Sequence, residues 1–413
     1  MRPYHRPAVP ADPSVPPEPV AAGRPTNDPG MRLEDPPPIT VLPLAAVALL
    51  TGLSMLLGGP FGFSPGGALA GVIGQLGSTL PAAIAITAAT ILNVVAGTVL
   101  IRHAAGRPFW TPAEAALAGF VGAVLLDIVL LGVLGGTGLF RWPVLVLVHA
   151  TILLSGRGLQ LLSAPVSWWP PSRRWWTRPT LGMLPVWWPL WAVIGLLWSG
   201  LLLVQLASPV VPFVDVLPNH VAPVEHLRSF GDFASLTTTA SPIYGPSRTF
   251  LGYTALLGVV DTLALLPAVL GVAAFALPGA IAVALGLHRL GSALGGGQTG
   301  TWAVLAFVLT TSFVRLPDAR ATVLVLPLAA WCLAEVADRM AGRQPPSLRR
   351  ALLLGGGLAA AILFHPVIGA LTVLAVGLIT LGWPARTRAL CAPALVAAAV
   401  LALPQLAAMT ETP

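Results

Sequence analysis

Three acidic residues, Asp215, Glu225 and Asp232, fall within 18 residues of one another in a chain that has only 15 acids, five of them in the first 37 positions. The same stretch carries His220, His226 and Arg228, and Tyr244 and Arg248 follow. Carboxylates can take protons from hydroxyl nucleophiles, imidazoles can relay or hold them, and guanidinium groups suit the oxygens of a phosphate. Everything around this cluster is apolar, so the chain concentrates its titratable groups in one place. In a membrane protein such a concentration marks a functional site by default. The alternative is a solvated loop whose acids only keep it out of the bilayer.

The elements that position these residues must be membrane helices. Of 413 residues 56% are hydrophobic and 9% charged. A soluble domain has about a quarter charged. The 43 glycines and 42 prolines do not indicate disorder, because mean hydropathy is +0.84 and disordered chains are low in hydrophobicity. Soluble enzymes are excluded. The two cysteines, Cys332 and Cys391, both lie in apolar runs, which excludes a disulfide framework and a thiolate metal cluster. All 22 basic residues are Arg. They sit mainly in short loops, so the net charge of +7 sets membrane orientation and is no nucleic-acid footprint.

The sequence reads as an all-α polytopic bundle of about 11 spans. Residues 1–37 are a Pro-rich, charged, disordered cytoplasmic tail. No signal-peptide core precedes a cleavage site. Residues 38–184 hold N-terminal transmembrane helices, beginning with a run from Ile39 to Leu57 long enough to cross a bilayer. Further spans are expected near 80–101, 114–136, 143–161, 185–207, 264–287, 301–315, 321–338, 351–366, 367–383 and 389–408. The Gly-rich stretch 58–79 has room for a re-entrant or interfacial segment. With the tail inside, 17 arginines fall in cytoplasmic loops and five outside, the bias expected of a correct topology. It requires residues 250–287 to make one net crossing and puts loop 208–250 outside the cytoplasm.

Within that loop the spacing predicts a short helix. Proline is favoured at the first helical position and glycine just past the last, so the helix should run from about Pro223 to Phe230 and stop at Gly231. Val224 and Leu227 then share one side, a partial amphipathic face for the membrane interface. Asp215 sits just past the preceding span. Elsewhere Asp127 lies inside an apolar span with no basic residue one helical turn away, and Asp261 precedes a span whose interface it would mark. No Walker motif, HExxH or CxxC occurs.

Taken together, Asp215 and VLPNHVAPVEHLRSFG resemble the first outer loop of GT-C glycosyltransferases, multi-spanning enzymes that use polyprenyl-phosphate sugar donors. SPIYGPSRTFLGYTALLGVV resembles that family's Tyr-Pro segment leading into a helix lying on the membrane. ALPGAIAVALGLHRLG, FVRLPDARATVLVLPLAAWCLAEVADR and LLLGGGLAAAILFHPVIGALTVLAVGLITL resemble later spans, the last carrying a His-Pro pair at His365 and Pro366. The likeness covers roughly residues 185–408, within a GT-C-like core at 185–413 whose outer loop is 208–250. Val214 stands where the family has an aromatic, Tyr244-Gly245-Pro246 replaces Tyr-Pro, and five spans rather than one precede the loop. Many members continue beyond the point corresponding to Pro413.

The resemblance implies transfer of a sugar from a lipid phosphate to an envelope acceptor, with membrane lipids and the lipid-linked donor as partners and no nucleic acid. Asp215 would be the catalytic base. His220, Glu225, His226, Arg228, Tyr244, Arg248, Arg320 and His365 would bind substrate, the arginines facing the leaving phosphate. Plainer roles compete. His220 and His226 also read as helix and interface residues, Arg315 and Arg320 as partners of Asp318, and His365 as a polar residue at a helix kink. No metal site is specified. A divalent cation on Asp215 with His220 or Glu225 is permitted, but these are not a dense carboxylate cage. Two other classes stay open: a non-catalytic scaffold of the same fold, and a transporter or flippase built on Asp127.

Overall fold

The computed structural model describes residues 65–105, 112–155, 158, 221–232, 250–308, 321–342, 347–382 and 385–410. Among these every regular element is helical. Four stretches are long and apolar enough to cross a membrane: Leu80–Ala104, Glu114–Gly135, Ala268–Gly295 and Ala321–Met340. Shorter apolar helices include Trp142–Leu154, Pro366–Leu381 and Cys391–Leu403. Four such stretches, not eleven, are what the described residues contain. The expected spans at 39–57 and 185–207 lie outside them.

Helix α1 is Pro65–Ala105. Its first part takes in the Gly-rich stretch from Pro65 onward, which is helical. Helix α2, Pro112–Leu130, ends in a π turn at Leu131–Gly135, and α3 is Trp142–Leu154. Between α1 and α2 the backbones touch, because a Cβ on Gly97 would collide with the Gly119 carbonyl and the Ala123 nitrogen. Small residues at such crossings let membrane helices approach closely.

The rest of the chain adds α4 (Ala222–Phe230), α5 (Leu251–Ala264), α6 (Ala268–Ala274), α7 (Ala276–Gly295) and α8 (Gly297–Val308). Then come α9 (Ala321–Leu324), α10 (Leu326–Met340), α11 (Leu348–Phe364), α12 (Pro366–Leu381) and α13 (Ala385–Thr410). The expected span 321–338 falls within the apolar stretch Ala321–Met340, with Pro327 in the first turn of α10. One hydrophobic core joins Ile86, Leu117 and Val124 to Tyr253, Leu328, Leu358 and Ala398.

The surface is inverted relative to a soluble protein. Val367, Leu371, Leu374, Leu378 and Leu381 form one exposed stripe along α12, while Asn93, Asp127 and Asp261 are wholly buried. An apolar stripe of this length is at home in lipid, not in water.

Contacts define two ends of the bundle. At one, Arg289 of α7 pairs with Asp338 of α10 and with Glu114 of α2, and Arg339 donates to the Arg350 carbonyl of α11 at 2.8 Å. Helices α2 and α11 therefore start together, and Leu125 meets Gly356 midway. At the opposite end, a Cβ on Gly252, at the start of α5, would press on the Phe364 backbone where α11 finishes. The end of α5 lies beside Trp142, whose Nε1 donates to the Leu263 carbonyl at 3.3 Å. Both termini of α5 thus lie at one end of the bundle. The helix runs across that end, and the next stretch long and apolar enough to cross a membrane is Ala268–Gly295.

Candidate functional site

Helix α4 starts and stops where its sequence dictates. Pro223 sits in its first turn and Gly231 closes it with φ +70°, donating its N–H to the Leu227 carbonyl at 2.8 Å. That left-handed conformation costs glycine little and other residues more. The C-terminus is then pinned from the α2–α3 connection. Phe140 N–H donates to the Gly231 carbonyl at 3.2 Å, and the Arg141 guanidinium donates to the Phe230 carbonyl at 3.0 Å. A cation at a helix C-terminus also complements the helix dipole.

The face expected to meet the membrane interface points the other way. Val224 and Leu227 are fully buried. Leu227 packs with Phe140, Ala255 and Val259, and Val224 joins the core around Tyr253 and Leu256. Protein, in the form of α5, covers this apolar face, and Phe230 is the large apolar side chain that α4 leaves exposed.

Glu225 is the clasp between α4 and α6. It accepts from Arg228 Nη2 at 2.5 Å and Nε at 3.3 Å, from Ser229 Oγ at 3.0 Å, and from the Ala268 N–H at 2.8 Å. Ala268 opens α6, so the carboxylate caps a helix start with its negative charge. Burial pushes the Glu225 carboxyl up, but these donors and the Arg228 charge outweigh it and hold it below the ordinary carboxylate range. The hydrogen bond to Glu225 raises Arg228, burial opposes this, and the charges of Glu225 and Asp261 add to the rise.

Asp261 lies inside α5. It is fully buried, and neither carboxylate oxygen has a hydrogen-bond partner among the described residues. Gly271 makes room for it, since any Cβ there would overlap the carboxylate. At the other terminus of α5, the Phe250 ring stacks on His365 with centroids 5.3 Å apart and planes 16° apart. His365 begins α12, where its Nδ1 accepts from the Ile368 N–H at 3.4 Å. It therefore caps a helix beside Pro366 and touches Phe250, where loop 208–250 leads into α5.

A second polar site lies within the bundle. Asn93 of α1 donates through Nδ2 to Asp127 Oδ2 of α2 at 2.7 Å. The other side of the same amide, Oδ1, is 3.0 Å from His149 Nε2 of α3. His149 Nδ1 is 2.8 Å from the Leu145 carbonyl oxygen. The partner that Asp127 lacked on its own helix is Asn93 of α1, whose amide in turn meets His149 of α3.

Of the candidate residues read from sequence, Glu225, His226 and Arg228 stand on α4, and His365 stands at the far terminus of α5. His226 packs on Phe230, with ring centroids 4.7 Å apart. Asp215, His220, Tyr244, Arg248 and Arg320 lie outside the described residues. Among the described residues no group of three His, Cys, Asp or Glu side chains is placed to hold a metal ion. Sequence reasoning overlooked Asn93 and His149. Their signal was present as two polar side chains within apolar runs. Comparison with protein-family models, curated proteins and solved structures returns no match.

Proposed function

We propose that the chain is a membrane glycosyltransferase that moves a sugar from a polyprenyl-phosphate donor to a cell-envelope acceptor outside the cytoplasmic membrane. The supporting observation is the pair α4 and α5. A short helix ending at a left-handed glycine is followed by a helix running across one end of the bundle, in the order that the GT-C resemblance implies for the outer loop. In this reading Asp215 takes the acceptor proton as the new C–O bond forms. Arg228 and Arg248, with Arg320, face the phosphate that leaves. Glu225 holds α4 against α6 and fixes where Arg228 stands.

The test is a transfer assay on the full chain in proteoliposomes, with a panel of polyprenyl-phosphate sugars and envelope acceptors. Transfer from at least one donor is expected. A protein that is folded and correctly inserted yet transfers from none would overturn the enzyme reading in favour of the scaffold. A transporter is a second reading, favoured by the Asn93–Asp127–His149 set inside the bundle.

A further inference from the structure

Donor and acceptor counting at Asn93, Asp127 and His149 fixes a proton number. The Leu145 carbonyl only accepts, so His149 Nδ1 carries a hydrogen. In the observed amide orientation Asn93 Oδ1 faces His149 Nε2, and an oxygen there also only accepts. His149 Nε2 then carries a second hydrogen, the ring is an imidazolium, and Asp127 accepts from Asn93 Nδ2 as a carboxylate. Half a turn of the amide exchanges its nitrogen and oxygen. Asn93 then donates to Nε2 of a neutral imidazole, and its oxygen accepts from a protonated Asp127 carboxyl. The two arrangements contain the same atoms and the same number of protons. They differ only in where one proton rests and which way the amide faces.

Burial requires this pairing. Asp127, Asn93 and His149 have relative exposures of 0%, 0% and 1%. A single uncompensated charge at such a depth is costly. Both arrangements have zero net charge, whereas a carboxylate beside a neutral imidazole, or a protonated carboxyl beside an imidazolium, leaves one. Among the described residues these three side chains bond to one another and to Leu145. Asp127 Oδ1 has no partner among the described residues.

We propose that Asn93, Asp127 and His149 form an intramembrane proton-binding site that holds one proton, shared between the carboxyl of α2 and the imidazole of α3 through the amide of α1. In a transfer the O–H bond of Asp127 breaks, an N–H bond forms at His149 Nε2, and the amide turns over. The Nδ1–H stays on the Leu145 carbonyl throughout. The ligand is the proton itself, and the site stands whether or not the chain transfers sugars.

The experiment uses the full chain in lipid bilayers at neutral pH, with two readouts on one preparation. Nitrogen-15 magnetic resonance reads the protonation of His149, and infrared absorption reads the carboxyl C=O band of Asp127. Variants Asp127→Asn, Asp261→Asn and His149→Gln assign the signals, Asp261 being the other carboxyl at 0% exposure among the described residues. The expected result is a protonated Asp127 with neutral His149, an ionised Asp127 with an imidazolium, or a mixture of these two. In each case one carboxyl band or one imidazolium signal is lost in the corresponding variant, and Asp261→Asn leaves both. An ionised Asp127 beside a neutral His149, or a protonated one beside an imidazolium, overturns the proposal. If a variant fails to accumulate, residue-selective isotope labelling of the unmodified chain makes the same assignment.

Discussion

The Arg141 guanidinium donates to the Phe230 carbonyl across 3.0 Å, joining residues 89 positions apart in the chain. This contact ties the start of α3 to the end of α4 and sets the short helix on the same end of the bundle as α5. The expected behaviour of that end follows from it.

Gly231→Ala should destabilise the protein more than Gly138→Ala. Both glycines have positive φ, +70° and +72°. The left-handed conformation alone costs a non-glycine residue about 1 kcal/mol. A Cβ at Gly138 meets nothing within 4 Å, whereas one at Gly231 would stand 2.9 Å from Arg141 Nε and 3.1 Å from the Phe140 carbonyl. Thermal unfolding in detergent should show a loss of ~1 kcal/mol at position 138 and ~2–3 kcal/mol at position 231. Equal losses would mean that the Arg141 contact is not formed.

The Glu225 clasp should weaken in acid. Its folded carboxyl is held below the ordinary range, so its contribution is fully present above about pH 4.3, the usual value for an unfolded Glu. The contribution is lost as the pH falls through the lower folded value. Protection of the Ala268 amide, its hydrogen exchange taken relative to the intrinsic rate at each pH, should fall on acidification in the native chain. In Glu225→Gln the protection should be low at neutral pH already and nearly independent of pH over the same interval. Because the pair is partly exposed, the effect on global stability should stay within about 1 kcal/mol.

Helix α4 was legible because proline and glycine act locally: Pro223 and Gly231 bracket the helix whatever surrounds it. What covers its apolar side was not legible. Val224 and Leu227 define a face, but choosing between lipid and α5 needs the position of a helix some 25 residues further on. Asp127 shows the same limit. Its partner Asn93, and His149 beyond the Asn93 amide, are 34 and 22 residues away in sequence, and helical periodicity relates only neighbours three or four apart. The helical start of α1 in the Gly-rich stretch also escaped the sequence, because glycine lowers helix propensity.

Gly97→Val should prevent α1 and α2 from closing. The substituted side chain would meet backbone atoms of Gly119, Gly122 and Ala123, and backbone cannot move aside as a flexible side chain can. A loss of at least ~3 kcal/mol is expected, seen as protein that inserts but is cleaved rapidly by protease. Gly132→Val, where a Cβ meets nothing within 4 Å, should be tolerated.

The orientation can be read with cysteine chemistry. Cys332 and Cys391 are both buried, so background labelling of intact cells should be low. A single cysteine introduced at Ser235 or Ser241 should react with a membrane-impermeant thiol reagent before lysis. Labelling only after lysis would put loop 208–250 in the cytoplasm and remove the basis for an outer-face reaction.

The most direct measurement is sugar transfer by Asp215→Asn in the proteoliposome assay. Asparagine keeps the size of the side chain but accepts no proton at neutral pH, and a general base contributes about 10²–10⁴-fold. Turnover should fall by about that factor while the protein still inserts and binds the donor, and Asp232→Asn should stay near the native rate. Near-native turnover by Asp215→Asn would contradict the account.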